Sequence, residues 1–370
     1  MRLDVPAIFV ALISLSAACS RHVRREAHGP GPSLTLSARF VPLPQEANIG
    51  RSIIKRQNQG KQNVNMFLNR VQNTSAPLFA CYIGGESGRE PQNALQSMTV
   101  NLGNEQADAN NDLGVTSYFL SDGKQAVMFD TLTSPVLASA CLKMVQSNDQ
   151  AGNRSNDQGS IGNVQQVILS HKHQDHTAGL PAPELTQARV ITQENTRQAL
   201  AQAKSRPPDE TYGESATLAL GENKVNLLHF VGHTNDGTGA CVGDVCLMGD
   251  ECEDNVPFIA EPERIQSQIQ NLGKTIQTVQ GQGVDKVCPA HGNGNTIANG
   301  CFSLALCQSN MQYLQIMASN LQAACGQSLQ QLAPQIGRQP GDITQAYAGV
   351  HQENCQSLRQ AQGQGEREMS

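Results

Sequence analysis

Short apolar runs, each closed by polar or glycine-bearing residues, punctuate the chain from about residue 115 onward. TSYFLS (116–121) and KQAVMFD (124–130) flank Asp122-Gly123, and two β-prone runs around an Asp-Gly pair predict a hairpin. VILS ends at Ser170, VNLLHF runs toward His233, VCLMG stops at Asp250 and VDKVCP stops before His291. Runs of this length, bounded by turn residues, predict buried strands. Elsewhere the period changes to that of a helix. In PERIQSQIQNLGKTIQTV the residues Ile265, Ile269, Leu272, Ile276 and Val279 recur at intervals of four, three, four and three behind Pro262, an amphipathic helix whose stripe belongs to the core. A second stripe (Leu304, Cys307, Met311, Leu314, Met317, Leu321, Ala324) ends at Gly326, and a third runs near Ile343, Tyr347 and Val350. An apolar period runs through the many glutamines of this region, so they mark a solvated face rather than a low-complexity tract.

The first apolar run is of another kind. Residues 7–18, AIFVALISLSAA, follow Arg2 and end with Ser16 and Ala18 in small-x-small spacing, which predicts a secretory signal peptide over 1–18. As a helix the run spans ~18 Å, short of a ~30 Å hydrocarbon core, and no other stretch is long enough, so no stable membrane insertion is expected after signal removal. A lipoprotein acylated at Cys19 is the alternative, but Ser16 stands where such sites usually carry leucine. Residues 19–62, rich in Pro, Gly and Arg, predict a propeptide or leader, and Arg24-Arg25 and Lys55-Arg56 resemble the dibasic processing sites of eukaryotic secretory proteins. Asn73-Thr74-Ser75 and Asn153-Arg154-Ser155 are N-glycosylation sequons. The expectation is a secreted, extracellular glycoprotein.

Composition narrows the class. The 370 residues are 38% hydrophobic but only 4% aromatic with no tryptophan, enough for one large domain or two modest ones and unlike a coiled coil, a collagen or a disordered chain. A formal charge of -6 offers no basic field for nucleic acid, so a small-molecule substrate is the expected partner. Eleven cysteines suggest an oxidising compartment or a metal cluster. Without Cys19 ten remain, enough for five disulfides. In TGACVGDVCLMG a turn at Gly243-Asp244 sets Cys241 opposite Cys246, close enough for a cross-strand bridge, with two reduced buried thiols as the alternative. Cys325 and Cys355 are candidates to staple the C-terminal helices, and Cys252 is a candidate partner for Cys288.

The chemistry is concentrated after VILS, in HKHQDH, where His171, His173, Asp175 and His176 lie within six residues. In an extended segment His171, His173 and Asp175 project to one side and His176 to another, an arrangement that can serve two metals. Imidazole and carboxylate suit zinc first, then iron or manganese, and the cluster lacks the thiolates of a structural zinc site. His233, Asp250 and His291 follow, each at the end of its own apolar run. A lone histidine of this kind is more often a packed residue, as His229 is expected to be, but four strand-end signals in sequence are a pattern.

That pattern, HxHxDH followed by His, Asp and His, resembles the metallo-β-lactamase superfamily over roughly residues 75–300. The resemblance implies an α/β fold, the αββα sandwich of two mixed sheets with outer helices, with residues 301–370 as a helical C-terminal extension. It implies two zinc ions: His171, His173 and His233 would hold one, Asp175, His176 and His291 the other, and Asp250 would bridge them. Asp130-Thr131 resembles the family's Asp-Thr turn, whose Asp would sit behind the metal ligands; an ordinary strand-end turn is the alternative. Two zinc ions, two ligand aspartates and a bridging hydroxide leave a charge of about +1, so the site would remain electrophilic and the hydroxide would act as nucleophile. Asp175 is the catalytic candidate, orienting that hydroxide or passing its proton to the leaving group.

In antibiotic-hydrolysing relatives the bridging position is usually Cys or Ser, whereas this chain has Asp250. The expectation is therefore a secreted zinc hydrolase of small esters or lactones. A β-lactam or phosphodiester hydrolase of the same fold is the alternative, and a mononuclear iron sulfur dioxygenase or a non-catalytic binding protein are alternatives of other classes. Tyr212, Asn235 and Asp236 fall near the site in sequence but read as loop structure.

Overall fold

The apolar runs become strands, and their alternation decides what each face meets. The computed structural model describes residues 63–84, 90–102, 113–150 and 160–368. The expected signal peptide and leader and the sequon at Asn153 lie outside the described residues. One sheet has the order β3-β1-β2-β4-β5-β6-β7-β8. It is built from β1 (Asn63–Arg70), β2 (Leu78–Ile83), β3 (Gln96–Asn101), β4 (Val115–Ser121), β5 (Gln125–Phe129), β6 (Asn163–Ile168), β7 (Arg189–Gln193) and β8 (Glu210–Tyr212). β1 to β5 pair antiparallel, and β6, β7 and β8 continue parallel from β5. Because β1 begins at Asn63, the sheet starts ahead of residue 75, where the resemblance to the superfamily begins.

The second sheet, β14-β13-β12-β11-β10-β9, contains β9 (Ser215–Leu220), β10 (Asn223–Phe230), β11 (Gly237–Val242), β12 (Val245–Gly249), β13 (Lys286–Pro289) and β14 (Phe302–Ser303). Leu78, Tyr118, Leu120 and Phe129 of the first sheet share a core with Leu227, Ala240, Val245 and Leu247 of the second, so the sheets lie face to face. Alternate residues of the same strands point outward into two further cores. Phe79, Cys81, Phe119 and Met128 meet Leu137, Cys141 and Met144 of the helix Pro135–Gln150. Phe230, Cys246, Met248 and Val287 meet Leu272, Ile276 and Val279 of the helix Ile265–Gly281 and Tyr313, Leu314 and Tyr347 of later helices. Four layers result, helix, sheet, sheet, helix. Strands buried on both faces have no polar alternate, which is why LFACYI in β2 reads as one apolar run.

The hairpin at Asp122-Gly123 forms as expected between β4 and β5. The second stripe of apolar positions does not make one helix. It divides into Ala305–Ser319 and Leu321–Ala324, because Asn320 leaves the helical region (φ -151°, ψ 71°) and its side chain accepts the Ala323 N–H, capping a new turn. The helix Gln345–Glu368 carries the third stripe.

Ten cysteines form five bonds. Cys241 pairs with Cys246 across the β11–β12 register, and Cys325 with Cys355. The suggested Cys252–Cys288 bridge is corrected: Cys252 joins Cys307 of the helix Ala305–Ser319, and Cys288 joins Cys301. Both residues lie near the same cluster of polar loops, but β13 buries Cys288 in the core between the sheets while Cys252 belongs to the outer core. Opposite burial faces keep them apart.

Candidate metal centre

Strand direction brings the polar loops together. β12 and β13 run parallel with Gly249 beside Pro289, so Asp250 and His291 leave the second sheet at one edge. β10 runs antiparallel to β11, and β11 to β12, which points the end of β10 and the following His233 to that same edge. In the first sheet β5 and β6 run parallel and deliver Asp130 and Ser170. The two edges are joined directly: Thr238 N donates to Ser170 O (2.6 Å), Thr116 N to Ala290 O (2.9 Å) and Tyr118 Oη to Pro289 O (2.6 Å). Gly249, at φ +56°, lies under Ser170, where a Cβ would stand 2.5 Å from the Ser170 Cβ.

The HKHQDH segment is not extended, as the alternation argument had it. β6 ends at Ile168, and Gln174–Thr177 form a turn of helix. Thr177 Oγ1 and the backbone N–H groups of His176 and Thr177 donate to His173 O. This turn aims Asp175 and His176 at the centre within a short stretch of chain, which an extended backbone would spread over opposite faces.

Seven side chains converge. His171, His173, His233 and Asp250 bring one ligand atom each to within 4.8 Å of one another, and Asp175, His176, Asp250 and His291 do the same. Asp250 belongs to both sets. Its Oδ2 lies 3.6 Å from His171 Nε2, 3.7 Å from His233 Nε2, 3.2 Å from His176 Nε2 and 3.5 Å from His291 Nε2. Asp175 Oδ2 lies 3.2 Å from His291 Nε2 and 3.6 Å from His176 Nε2. His173 Nδ1 faces His171 Nε2 at 2.9 Å and His233 Nε2 at 3.2 Å.

Several rings are fixed from behind. His176 Nδ1 donates to Asp130 Oδ2 (2.8 Å), and Asp130 Oδ1 accepts the Ser170 N–H (2.7 Å). His291 Nδ1 donates to Gly114 O (2.8 Å), and His171 Nδ1 shares a hydrogen bond with Ser170 Oγ (2.9 Å). Nδ1 is thereby engaged and Nε2 turned inward, the arrangement that orients a metal-binding imidazole. Asp130 sits at φ +64°, and its carboxylate is spent on His176 and on the Ser170 N–H rather than on its own turn.

The residues fit divalent metal. His176 Nε2 and Asp250 Oδ1 are buried with no hydrogen-bond partner among the described residues, and three ring nitrogens are turned on one another. Buried polar atoms left this way are costly, and a cation with nitrogen and carboxylate ligands satisfies them together. The electrostatics agree. Burial, then repulsion from His176 and His173, holds the His171 pKa well below its ordinary value, while burial lowers that of His233 to about 4 against the pull of Asp250. Burial opposes charge on His176 and His291 too, yet the carboxylates around them win, Asp250 first, and both pKa values stand well above the ordinary histidine range. Burial would likewise raise Asp175 and Asp250, but His176 and His291 hold both well below the usual carboxylate range. Two anionic carboxylates thus draw positive charge into this pocket, and metal binding would displace protons from the histidines.

Tyr212, Asn235 and Asp236 belong to the loop framework. Tyr212 Oη donates to Thr238 Oγ1 (2.8 Å), Asp236 Oδ2 accepts from Thr196 Oγ1 (2.9 Å), and Asn235 O accepts from His229 Nε2 (3.1 Å). Sequence reasoning missed Ser170 and Glu251. Ser170 Oγ stands 2.9 Å from His171 Nδ1 and 3.3 Å from His176 Nδ1, touching one histidine of each set. Glu251 was legible only as the residue after Asp250; nothing in its spacing told which backbone it would meet.

Residues 110–192 match the family model described as the metallo-beta-lactamase superfamily. No curated protein matches the chain. Among solved structures, the DIM-1 metallo-beta-lactamase is 16% identical, covers 69% of this chain and 98% of its own, and superposes with a TM-score of 0.48. VMB-1 is 12% identical over 68% of this chain and 99% of its own, TM-score 0.49. A metallo-beta-lactamase from Pontibacter korlensis is 17% identical over 62% and 95%, TM-score 0.43.

Proposed function

We propose that this protein belongs to the metallo-β-lactamase superfamily and is a secreted, binuclear zinc hydrolase of small esters or lactones. The observation that carries the reading is the convergence of seven nitrogen and carboxylate ligands, from four separate loops, on two sets that share Asp250. His171, His173 and His233 would hold one ion, Asp175, His176 and His291 the other, with Asp250 between them. When bound, such a metal pair supplies Lewis acidity and lowers the pKa of water to ~7, giving hydrolytic power at neutral pH.

The chain's own residues supply position and proton handling. Asp250 is 6% exposed and Asp175 16%, so Asp175 reaches furthest toward solvent of the two carboxylates. With its pKa held down by His176 and His291 against burial, Asp175 is an acceptor at neutral pH. It can take a proton at Oδ and return it to a departing alkoxide, while Asp130 and Gly114 O keep His176 and His291 oriented from behind. The carboxylate at the shared position supports an ester or lactone over a β-lactam. Secretion is supported by ten cysteines in five bonds, and among the described residues no helix is long and apolar enough to cross a membrane. Asn73, in the first sequon, is exposed in a bend, with its Nδ2 donating to Asn299 O (3.2 Å).

The test is a hydrolysis panel of lactone, ester, β-lactam, thioester and phosphodiester substrates, with and without chelator, alongside metal analysis. Zinc near two per chain with chelator-sensitive lactone or ester turnover, abolished by Asp250→Ala and His173→Ala, is the expected result. Unchanged activity in either variant overturns the assignment, and one iron per chain without hydrolysis moves the protein to oxidative chemistry.

A further inference from the structure

The ligand histidines are not all held in the same way. His171, His176 and His291 each have Nδ1 engaged by Ser170, by Asp130 and by Gly114 O. His173 presents Nδ1 itself to the centre. Of the four that present Nε2, His233 is the exception: its Nδ1 is buried and has no hydrogen-bond partner among the described residues. Nothing therefore fixes its ring from behind, yet Nε2 is aimed at His173 Nδ1 (3.2 Å) and Asp250 Oδ2 (3.7 Å). The constraint must come through the backbone.

That backbone is gripped by Glu251. Glu251 is 6% exposed, and its Oε2 accepts the N–H groups of both Gly232 (3.0 Å) and His233 (3.1 Å). Oε1 accepts the hydroxyl of Thr275 (3.0 Å), a buried polar residue on the helix Ile265–Gly281. The contact demands glycine at 232, because a Cβ there would stand 2.4–2.7 Å from the carboxylate atoms. Glu251 also follows Asp250 directly in the chain. One side chain thus ties the loop of His233, the turn of Asp250 and a core helix, and neighbouring N–H groups bound to a single anionic oxygen are among the stronger hydrogen bonds a protein makes.

We propose that Glu251 is the positioning residue for His233: a carboxylate clamp on the backbone that replaces the missing ring contact and sets the metal affinity of the His171/His173/His233 set. The assignment rests on the metal reading above, but the clamp is a property of the metal-free protein as well. Glutamine at this position keeps an oxygen for the two N–H groups and turns its NH2 toward the Thr275 hydroxyl, which can accept. Alanine keeps none of this.

The experiment pairs amide hydrogen exchange of the metal-free full chain with stepwise zinc titration against a competing chelator. In Glu251→Ala the Gly232 and His233 amides should exchange faster than in the wild type, and one of two zinc equivalents should weaken by about 10- to 100-fold, the usual effect of removing a partner that orients a ligand. Glu251→Gln should restore slow exchange and most of the affinity. If the alanine variant fails to fold, Glu251→Asp, whose carboxylate is withdrawn by one methylene, gives the same two readings. Wild-type exchange at both amides, or wild-type affinity for both equivalents, overturns the clamp. A wild-type protein that binds no zinc overturns the metal reading instead, and the exchange comparison then still decides whether the clamp exists.

Discussion

Replacing Asp130 with asparagine removes a charge while filling the same space, and the hydrogen-bond inventory around it dictates the outcome. Asp130 is flanked by two donors, the Ser170 N–H at Oδ1 (2.7 Å) and the His176 Nδ1–H at Oδ2 (2.8 Å), all of them buried. Asparagine offers one acceptor and one NH2. With its oxygen on Ser170, the NH2 faces His176 Nδ1, a good contact only if the imidazole proton moves to Nε2, the atom that must be bare to bind metal. With its oxygen on His176, the NH2 meets the Ser170 N–H. Either way the metal-bound state contains one buried donor facing a donor, a cost of about 1–3 kcal/mol. At about 1.4 kcal/mol per factor of ten, zinc binds some ~5- to 150-fold more weakly. The metal-free variant can take the first orientation, with the imidazole proton on Nε2 facing Asp250 Oδ2 at 3.2 Å, so its unfolding midpoint should fall by less than the lost binding energy implies. Chelator-competition titration and thermal unfolding of the metal-free protein supply both numbers. Wild-type zinc affinity in Asp130→Asn refutes the reasoning; a stability loss as large as the affinity loss would make Asp130 a structural residue only.

Three other outcomes follow from the geometry. Gly249→Ala forces a side chain into φ +56° and sets its Cβ 2.5 Å from Ser170, so urea denaturation should show a loss of about 2–5 kcal/mol, and unchanged stability contradicts the packing of the two sheet edges. Replacing Cys252 and Cys307 with serine opens a loop of 55 residues beside Asp250, worth about 4 kcal/mol by loop entropy, and a loss under about 1 kcal/mol would mean that the bond does not brace the fold. Glu253 is buried with Oε2 unpartnered among the described residues, and burial first, then the charge of Asp250, pushes its pKa up to about 8 from 4.5. The folded chain therefore keeps a proton that the unfolded chain has released, and stability drains away as pH rises between those values. In metal-free Glu253→Gln the unfolding free energy should gain on the wild type across that window and level off above it; equal pH slopes refute the assignment.

Much of the centre was legible in the sequence because its ligands sit where apolar runs stop. A strand buried on both faces, as β12 and β13 nearly are throughout, announces its end by its first polar residue, and Asp250 and His291 lie within a few positions of such ends. β6 and β10 carry polar residues along their length and are legible only by the apolar runs VIL and LLHF that precede His171 and His233. The Cys241–Cys246 pairing was legible for a similar reason, since a hairpin register is local. Cys252 and Cys288 were not, because their partners depend on which core each strand face joins. The break at Asn320 was hidden as well: the apolar period continues through it, and only the capping contact to Ala323 reveals the new turn.

The sequence by itself determined which residues could bind metal and that they would gather at strand ends, because ligand chemistry and strand alternation are properties of residue type and spacing. Tertiary structure decided how those residues are aimed. Asp130 behind His176, Gly114 O behind His291 and Glu251 beneath His233 join positions 46, 177 and 18 residues apart. Such contacts depend on the direction in which two packed sheets present their edges. Hydrogen bonds form between atoms a few ångströms apart in space, and no periodicity along the chain encodes which backbone carbonyl or N–H will stand at that distance.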